Sequence, residues 1–321
     1  MSGPWSDDLV EAARREGALV WFSAWPQPET AKVEAAFGRR FPFLEVDARR
    51  VAHPFDIIAR ERDSNDPTVD TAGPISATTV ASMAGEGYFL PYRSPQASDL
   101  PAVFADAGGR WYSTHSMGMS IAYNRDLVPP EHVPQSYDDL LHPRWRGRIL
   151  MEDIRDWGTS AEWALGVHQH LGDTFFQRLA RQDVQWYVEG AVTGALDALA
   201  AGKHALAPWS VDYMVQLRMD AGGPLGWTNP LLLGRVPANV ILARAPHPNA
   251  ARLFADWLLS EEGQTLIGRE NLGFPARSAA PCYMAQFYPA DVEFHINEPA
   301  DVARKKQTLV EMYQRVFFAG G

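Results

Sequence analysis

The sequence is poor in cysteine: Cys282 stands alone among 321 residues. No internal disulfide can form, and no cysteine-built zinc or iron–sulfur cluster is available. Long apolar runs are also missing. Nothing approaches the ~18 consecutive apolar residues of a membrane-spanning helix. Basic blocks are absent, with 29 Lys and Arg against 39 Asp and Glu, net charge −10 and a pI near 5.4. Nucleic-acid binding needs clustered cations to neutralise phosphates, so this balance argues against such a partner. The opening residues Met1–Asp8 carry neither the basic nor the apolar stretch of a secretory leader. Either the protein works in the cytoplasm or its leader is missing from this sequence. Catalytic signatures are equally scarce: there is no H-E-x-x-H, no G-x-S-x-G and no P-loop. Gly202-Lys203-His204 lacks the glycine spacing and the hydroxyl residue of a P-loop.

What is present is an ordinary globular mixture, 46% hydrophobic and 21% charged. The length suits about two domains. The first ~90 residues alternate helix and strand. Ser6 caps a helix that stops at Gly17. Ala18–Phe22 is a continuous apolar run, as in a strand buried on both faces. Val33, Phe37 and Phe41 mark the next helix by their i, i+4, i+8 spacing. Strands are predicted at 44–48 and 68–72, with Gly73–Ser76 as a loop before a helix from Ala77. A long strand covers 111–123. A second β-loop-α series follows, with strands at 148–152, 184–188, 206–209 and 225–229 and a helix opening near Gly158-Thr159-Ser160. A long strand at 236–243 then leads back. This rhythm predicts an α/β fold with two Rossmann-like lobes joined by two crossing strands. The expected division is 1–116 with 240–300 and 117–239 with 301–321. A cleft between such lobes can close on a ligand.

Four segments resemble a known family in its own order along the chain. Glu16-Gly17-Ala18-Leu19-Val20-Trp21-Phe22-Ser23 matches its first strand and loop. Ile121-Ala122-Tyr123-Asn124 matches the end of its crossing strand. The stretch from Gln135 to Ile149, with Leu140-Leu141-His142-Pro143-Arg144-Trp145-Arg146-Gly147, resembles its "D-L-L-x-P-x-W-K-G-K-I" signature. Pro248-Asn249-Ala250-Ala251 through Trp257-Leu258-Leu259-Ser260-Glu261-Glu262-Gly263-Gln264 matches its late helical signature. The sequence thus resembles the extracellular solute-binding proteins of bacterial ABC importers, of the type II periplasmic binding protein fold, in the iron(III)/thiamine/polyamine/phosphonate branch. The resemblance implies a monomeric periplasmic receptor with no cofactor. It would pass a small molecule to a membrane permease and catalyse nothing. An enzyme on the same fold is the alternative class.

Candidate ligand residues lie where parallel strands feed helices, since ligands sit beyond the carboxyl ends of such strands. In the first lobe they are Ser23, Trp25 and Ser76. In the second they are Arg155, Trp157, Thr159, Ser160, Trp209, Asp212 and Tyr213. Arg155 can clamp an anionic group bidentately, and the helix start at Thr159 and Ser160 offers unpaired N–H donors. Trp25, Trp157 and Trp209 can flank an organic ligand by stacking. Tyr123 and Asn239 lie on the crossing strands as hinge residues. These features lean toward a small organic anion such as a carboxylate, sulfonate or phosphonate. Acidic Glu152, Asp153, Asp156 and Asp212 keep an organic cation, a polyamine or thiamine, as an alternative. Iron(III) is the other one. Iron-binding members of the family use an adjacent tyrosine pair, and this chain has no Tyr-Tyr. Asp212 and Tyr213 would supply one oxygen each. His168 and His170 stand i, i+2 on a helix, about 200° apart, and cannot chelate one ion together. No protein metal site is expected.

Overall fold

A computed structural model of the protein describes residues 5–51, 54–154, 159–187, 191–270 and 272–318, with Thr159 and Ala191 described by backbone alone. The chain divides into two compact units, Met1–Ser116 with Val236–Tyr288, and Met117–Arg235 with Pro289–Gly321. The expected boundaries differ from these at two places. Residues 236–239 fall in the first unit and 289–300 in the second.

The first unit begins α1 (Asp7–Glu16), β1 (Ala18–Ser23), α2 (Gln27–Arg40), β2 (Glu45–Arg50), α3 (Phe55–Asp63), β3 (Thr71–Ser76) and α4 (Ala77–Met83). Strand β4 (His115–Asn124) carries the chain into the second unit. There follow β5 (Leu150–Glu152), α5 (Thr159–Ala180), β6 (Gln185–Tyr187), α6 (Ala191–Ala200), β7 (Leu206–Val211), α7 (Asp212–Asp220), β8 (Leu225–Thr228) and β9 (Leu233–Arg235). The return brings β10 (Pro237–Ile241), α8 (Pro248–Leu259), α9 (Glu261–Arg269) and β11 (Phe274–Pro275), and the chain closes with β12 (His295–Ile296) and α10 (Pro299–Tyr313). Among the described residues no helix is long and apolar enough to cross a membrane.

The first unit is built on a sheet of order β10-β3-β1-β2. β1 runs parallel to β2 and β3, and β10 is antiparallel to β3. Local signals set α1: Ser6 Oγ accepts from Leu9 N at 3.2 Å, and Gly17 ends the helix at φ 75°. Two of the sequence motifs meet here. The Glu16 carboxylate accepts from the N–H groups of Asn249 and Ala250, 2.9 and 2.8 Å, at the start of α8. An acid at that end satisfies donors the helix cannot pair itself and suits the positive end of its dipole. Buried Asp70 ties the same corner, accepting from Val20 N at 2.7 Å and His247 N at 2.6 Å. The α8 face then buries Phe254 and Trp257 against Trp21 and Phe37, with ring centres 5.0 Å apart for Phe254–Trp21 and 4.8 Å for Phe254–Phe37.

One strand is longer than its sequence indicates. The expected loop Gly73–Ser76 belongs to β3, because Ile75 and Ser76 pair with Ala238 and Pro237 of β10. Pairing with a distant segment, and not local propensity, extends it.

In the second unit β4 is the central strand, antiparallel to β7, β8 and β9. β5 and β6 pair in parallel, as do β9 and β12. Tyr137, from the segment before β5, is buried and its hydroxyl accepts from Trp163 Nε1 at 2.9 Å. Helix α10 packs on α5, with Tyr313 and Phe176 ring centres 5.5 Å apart. Inside α5, Gly172 at φ 65°, ψ −174° breaks the helical run, a conformation that favours glycine.

Candidate functional site

In the first unit the candidate residues cluster where β1 ends. Ser23 is fully buried, and its Oγ accepts from Thr30 Oγ1 at 2.8 Å and from Trp25 N at 3.2 Å. Trp25 is fully buried as well. Its ring stands edge-on to Trp21 at 5.9 Å and stacks on His115 at 5.6 Å. Trp25 lies in the loop between β1 and α2 as expected, but a ring enclosed in this way presents no open face, so its expected stacking role is corrected to core packing. Its Nε1 has no hydrogen-bond partner among the described residues. Trp21 meanwhile donates from Nε1 to Gly73 O at 3.0 Å, linking β1 to β3. Ser76 ends β3 and caps α4, its Oγ accepting from Thr79 N at 3.3 Å.

In the second unit Arg155 and Trp157 lie outside the described residues. Thr159 opens α5, and Ser160 follows, fully buried, its Oγ without a partner among the described residues. Trp209 requires a correction. It was expected in or beside a loop, yet it sits within β7, fully buried, donating from Nε1 to Leu150 O at 3.0 Å. The strand runs on to Val211 because Ser210 and Val211 pair with Ser120 and Met119 of β4. Asp212 and Tyr213 open α7, both buried, with Asp212 Oδ1 accepting from Tyr213 N at 2.7 Å.

The two hinge candidates stand apart from the crossings. Tyr123 lies well inside the second unit, half-buried, and burial raises its phenol pKa. Its ring fills the space beside Gly226, where a Cβ would come within 2.3 Å of it. Asn239 belongs to the first unit, at the irregularity of β10, and exchanges backbone hydrogen bonds with Tyr112. A Cβ on Gly73 would come within 2.1 Å of Asn239 Oδ1, so glycine is what admits this side chain.

Sequence reasoning missed two groups. Arg235 and Glu162 form a buried ion pair between β9 and the first turn of α5, their side chains 10% and 8% exposed. Tyr313 from α10 is buried, and burial, with the charges of Asp153 and Glu152, pushes its phenol pKa well above its ordinary value. Neither carries a local sequence signal, since the partners come from distant elements. Among the described residues no group of three or more His, Cys, Asp or Glu is placed to hold a metal.

Two α/β units, each completed by a distant segment of the chain, are the architecture of the two-lobed solute-binding proteins. A family model described as bacterial extracellular solute-binding protein matches residues 71–305. The chain belongs to that family, with the fold of a type II periplasmic binding protein. Its members bind small ligands and deliver them to ABC permeases. Iron uptake protein A1 of Synechocystis sp. is 24% identical over 217 residues, covering 61% of this chain and 58% of that protein. The structure of iron-bound HitA from Pseudomonas aeruginosa shares 19% identity, with a TM-score of 0.75 and coverage of 93% and 99%. AfuA from Actinobacillus pleuropneumoniae, solved with fructose-6-phosphate bound, shares 18% identity, with a TM-score of 0.79 and coverage of 95% and 99%. At these identities the two structures establish the fold alone.

Proposed function

We propose that the protein is the substrate-binding receptor of an ABC importer, working outside the cytoplasmic membrane, and that its ligand is a small organic anion held by the second unit. The observation that carries the ligand class is Ser160. Its hydroxyl is fully buried and unpartnered among the described residues, in the first turn of α5. An unpaired buried hydroxyl costs free energy that a ligand oxygen can recover. The unpaired N–H groups and the dipole at a helix start favour a negative ligand. Arg155 lies just upstream in the sequence and is suited to bidentate recognition of a phosphonate, phosphate ester or carboxylate. The sugar-phosphate complex of AfuA is in keeping with this class.

Iron(III) is the second reading. It is favoured by Asp212 and Tyr213, two oxygen-bearing side chains at the head of α7, and by the iron-uptake relatives. One experiment separates the two. Thermal unfolding is followed with sugar phosphates, phosphonates and carboxylates, and in parallel with chelated ferric iron. The anion reading expects one anion class to raise the melting temperature, since ligand at 100 times its Kd adds about 2.7 kcal/mol. A visible phenolate-to-iron band on ferric titration, with no response to any anion, would replace it with the iron reading. No shift with either group would count against both.

A further inference from the structure

His170 and His295 are remote in sequence and meet on the second unit, both exposed. Their ring centres are 4.8 Å apart, with the planes at 86°. Each ring is tied by one nitrogen. His170 Nδ1–H donates to Gly166 O at 2.8 Å, which leaves Nε2 with its lone pair. His295 Nε2–H donates to Gln169 Oε1 at 3.0 Å, which leaves Nδ1 with its lone pair. Metal-binding imidazoles are held in this manner, one nitrogen fixed by a carbonyl or similar acceptor while the other faces the ion.

The separation of the ring centres leaves room for a shared ion. With metal–nitrogen bonds of about 2.0–2.1 Å and ~1.1 Å from nitrogen to ring centre, two imidazoles at about 90–110° have centres roughly 4.5–5.2 Å apart. The local field suits a cation too. His170 stands in the last turn before the break at Gly172, where helix carbonyls carry partial negative charge. His168 takes no part: its Nε2 is bonded to Asp173 Oδ1 at 2.6 Å and its ring stacks on Phe176.

We propose that His170 and His295 form a two-imidazole site for a divalent late-transition-metal ion, with Gln169 as the positioning residue. Imidazole nitrogen suits Cu(II), Ni(II) and Zn(II), and the usual order of affinities puts Cu(II) tightest. No third His, Cys, Asp or Glu completes the site among the described residues, so the remaining positions go to water or to an external ligand. The site is separate from the anion candidate, because Ser160 lies ten residues back along α5, about 15 Å of helix.

The test is Cu(II) binding to the whole chain near neutral pH, by competition with a chelator of known affinity and by electron paramagnetic resonance. One tightly bound Cu(II) with hyperfine coupling to two imidazole nitrogens is expected. His170→Ala and His295→Ala should each weaken binding at least tenfold, and His168→Ala should leave it unchanged. Gln169→Ala should weaken it about tenfold with both nitrogens retained in the spectrum. Affinity indifferent to both histidine variants, or coupling to a single nitrogen, would overturn the site. An unchanged Gln169→Ala affinity would overturn that residue's positioning role. The side chains of Gln169, His170 and His295 are exposed, so unchanged melting temperatures of those variants without metal serve as the folding control. No importer ligand enters the measurement, and its failure leaves the anion reading standing.

Discussion

Ser23 and Ser160 occupy comparable places, one where a parallel strand ends and one where a helix begins, yet their surroundings differ. Ser23 is enclosed by its own unit: Thr30 donates to it, Trp25 N donates to it, and Trp25 lies between Trp21 and His115. Ser160 is as deeply buried and has no partner among the described residues. A polar group that folding leaves unsatisfied is free for something else to satisfy. The difference teaches that the same strand-loop-helix rule yields a structural serine in the first unit and a ligand-facing candidate in the second.

The comparison can be broken most decisively through the aromatic enclosure. Trp25→Ala should cost about 3–5 kcal/mol, as large-to-small core changes do, read by urea unfolding. A loss below ~1 kcal/mol would mean that the ring is not core and would return it to the ligand candidates. Comparable in size is the buried pair of the second unit. Glu162→Ala leaves Arg235 buried without its carboxylate and should cost about 3–5 kcal/mol, while Glu162→Leu with Arg235→Met should recover most of that loss. If the double variant is as unstable as the single one, the pair is not the source of the cost.

The serines themselves come next. Ser23→Ala should lower stability by about 1 kcal/mol and leave ligand affinity unchanged. Ser160→Ala should stay within ~0.5 kcal/mol of the parent and weaken the anion identified by thermal shift at least tenfold. A reversed outcome would exchange their roles.

The smallest effect concerns pH. Asp256 is buried in the first unit, and burial raises its carboxyl pKa even though the Ser94 and Tyr92 hydroxyls donate to it and pull the other way. The protonated form therefore favours the folded state. Its contribution is complete below the ordinary carboxylate pKa of about 4 and is lost as pH rises through the higher folded value. The stability advantage of the parent over Asp256→Asn should shrink with rising pH across that window, in melting temperatures recorded against pH. An advantage that grows instead would reverse the sign of the shift.

How much could be read from the sequence depended on how local the cause was. Helix α1 was legible at both ends because Ser6 and Gly17 act within a few residues. The continuous apolar run of β1 was legible for the same reason. β3 was placed too early, at 68–72 against Thr71–Ser76, and β7 ended too early, because Ile75 and Ser76 depend on β10 and Ser210 and Val211 depend on β4. The early end of β7 put Trp209 at the last strand position, beside a loop, and not within the strand. The two-residue strands and β9 have too little pattern to register. In the candidate site, Ser160 was found from the helix start. Arg235 with Glu162, and His170 with His295, join segments that nothing in composition or spacing brings together.

Neither unit is a continuous stretch of chain. The first needs Val236–Tyr288 to complete its sheet and to receive the α8 face, and the second needs Pro289–Gly321 to receive β12 and α10. During synthesis the first core therefore cannot close before Tyr288 has left the ribosome, nor the second before α10 has. Until then Trp21 of β1 and Phe37 of α2 have no α8 to cover them, and α5 has no α10. Topology of this kind makes folding slow, because distant contacts carry their loop-closure cost before they return any stability.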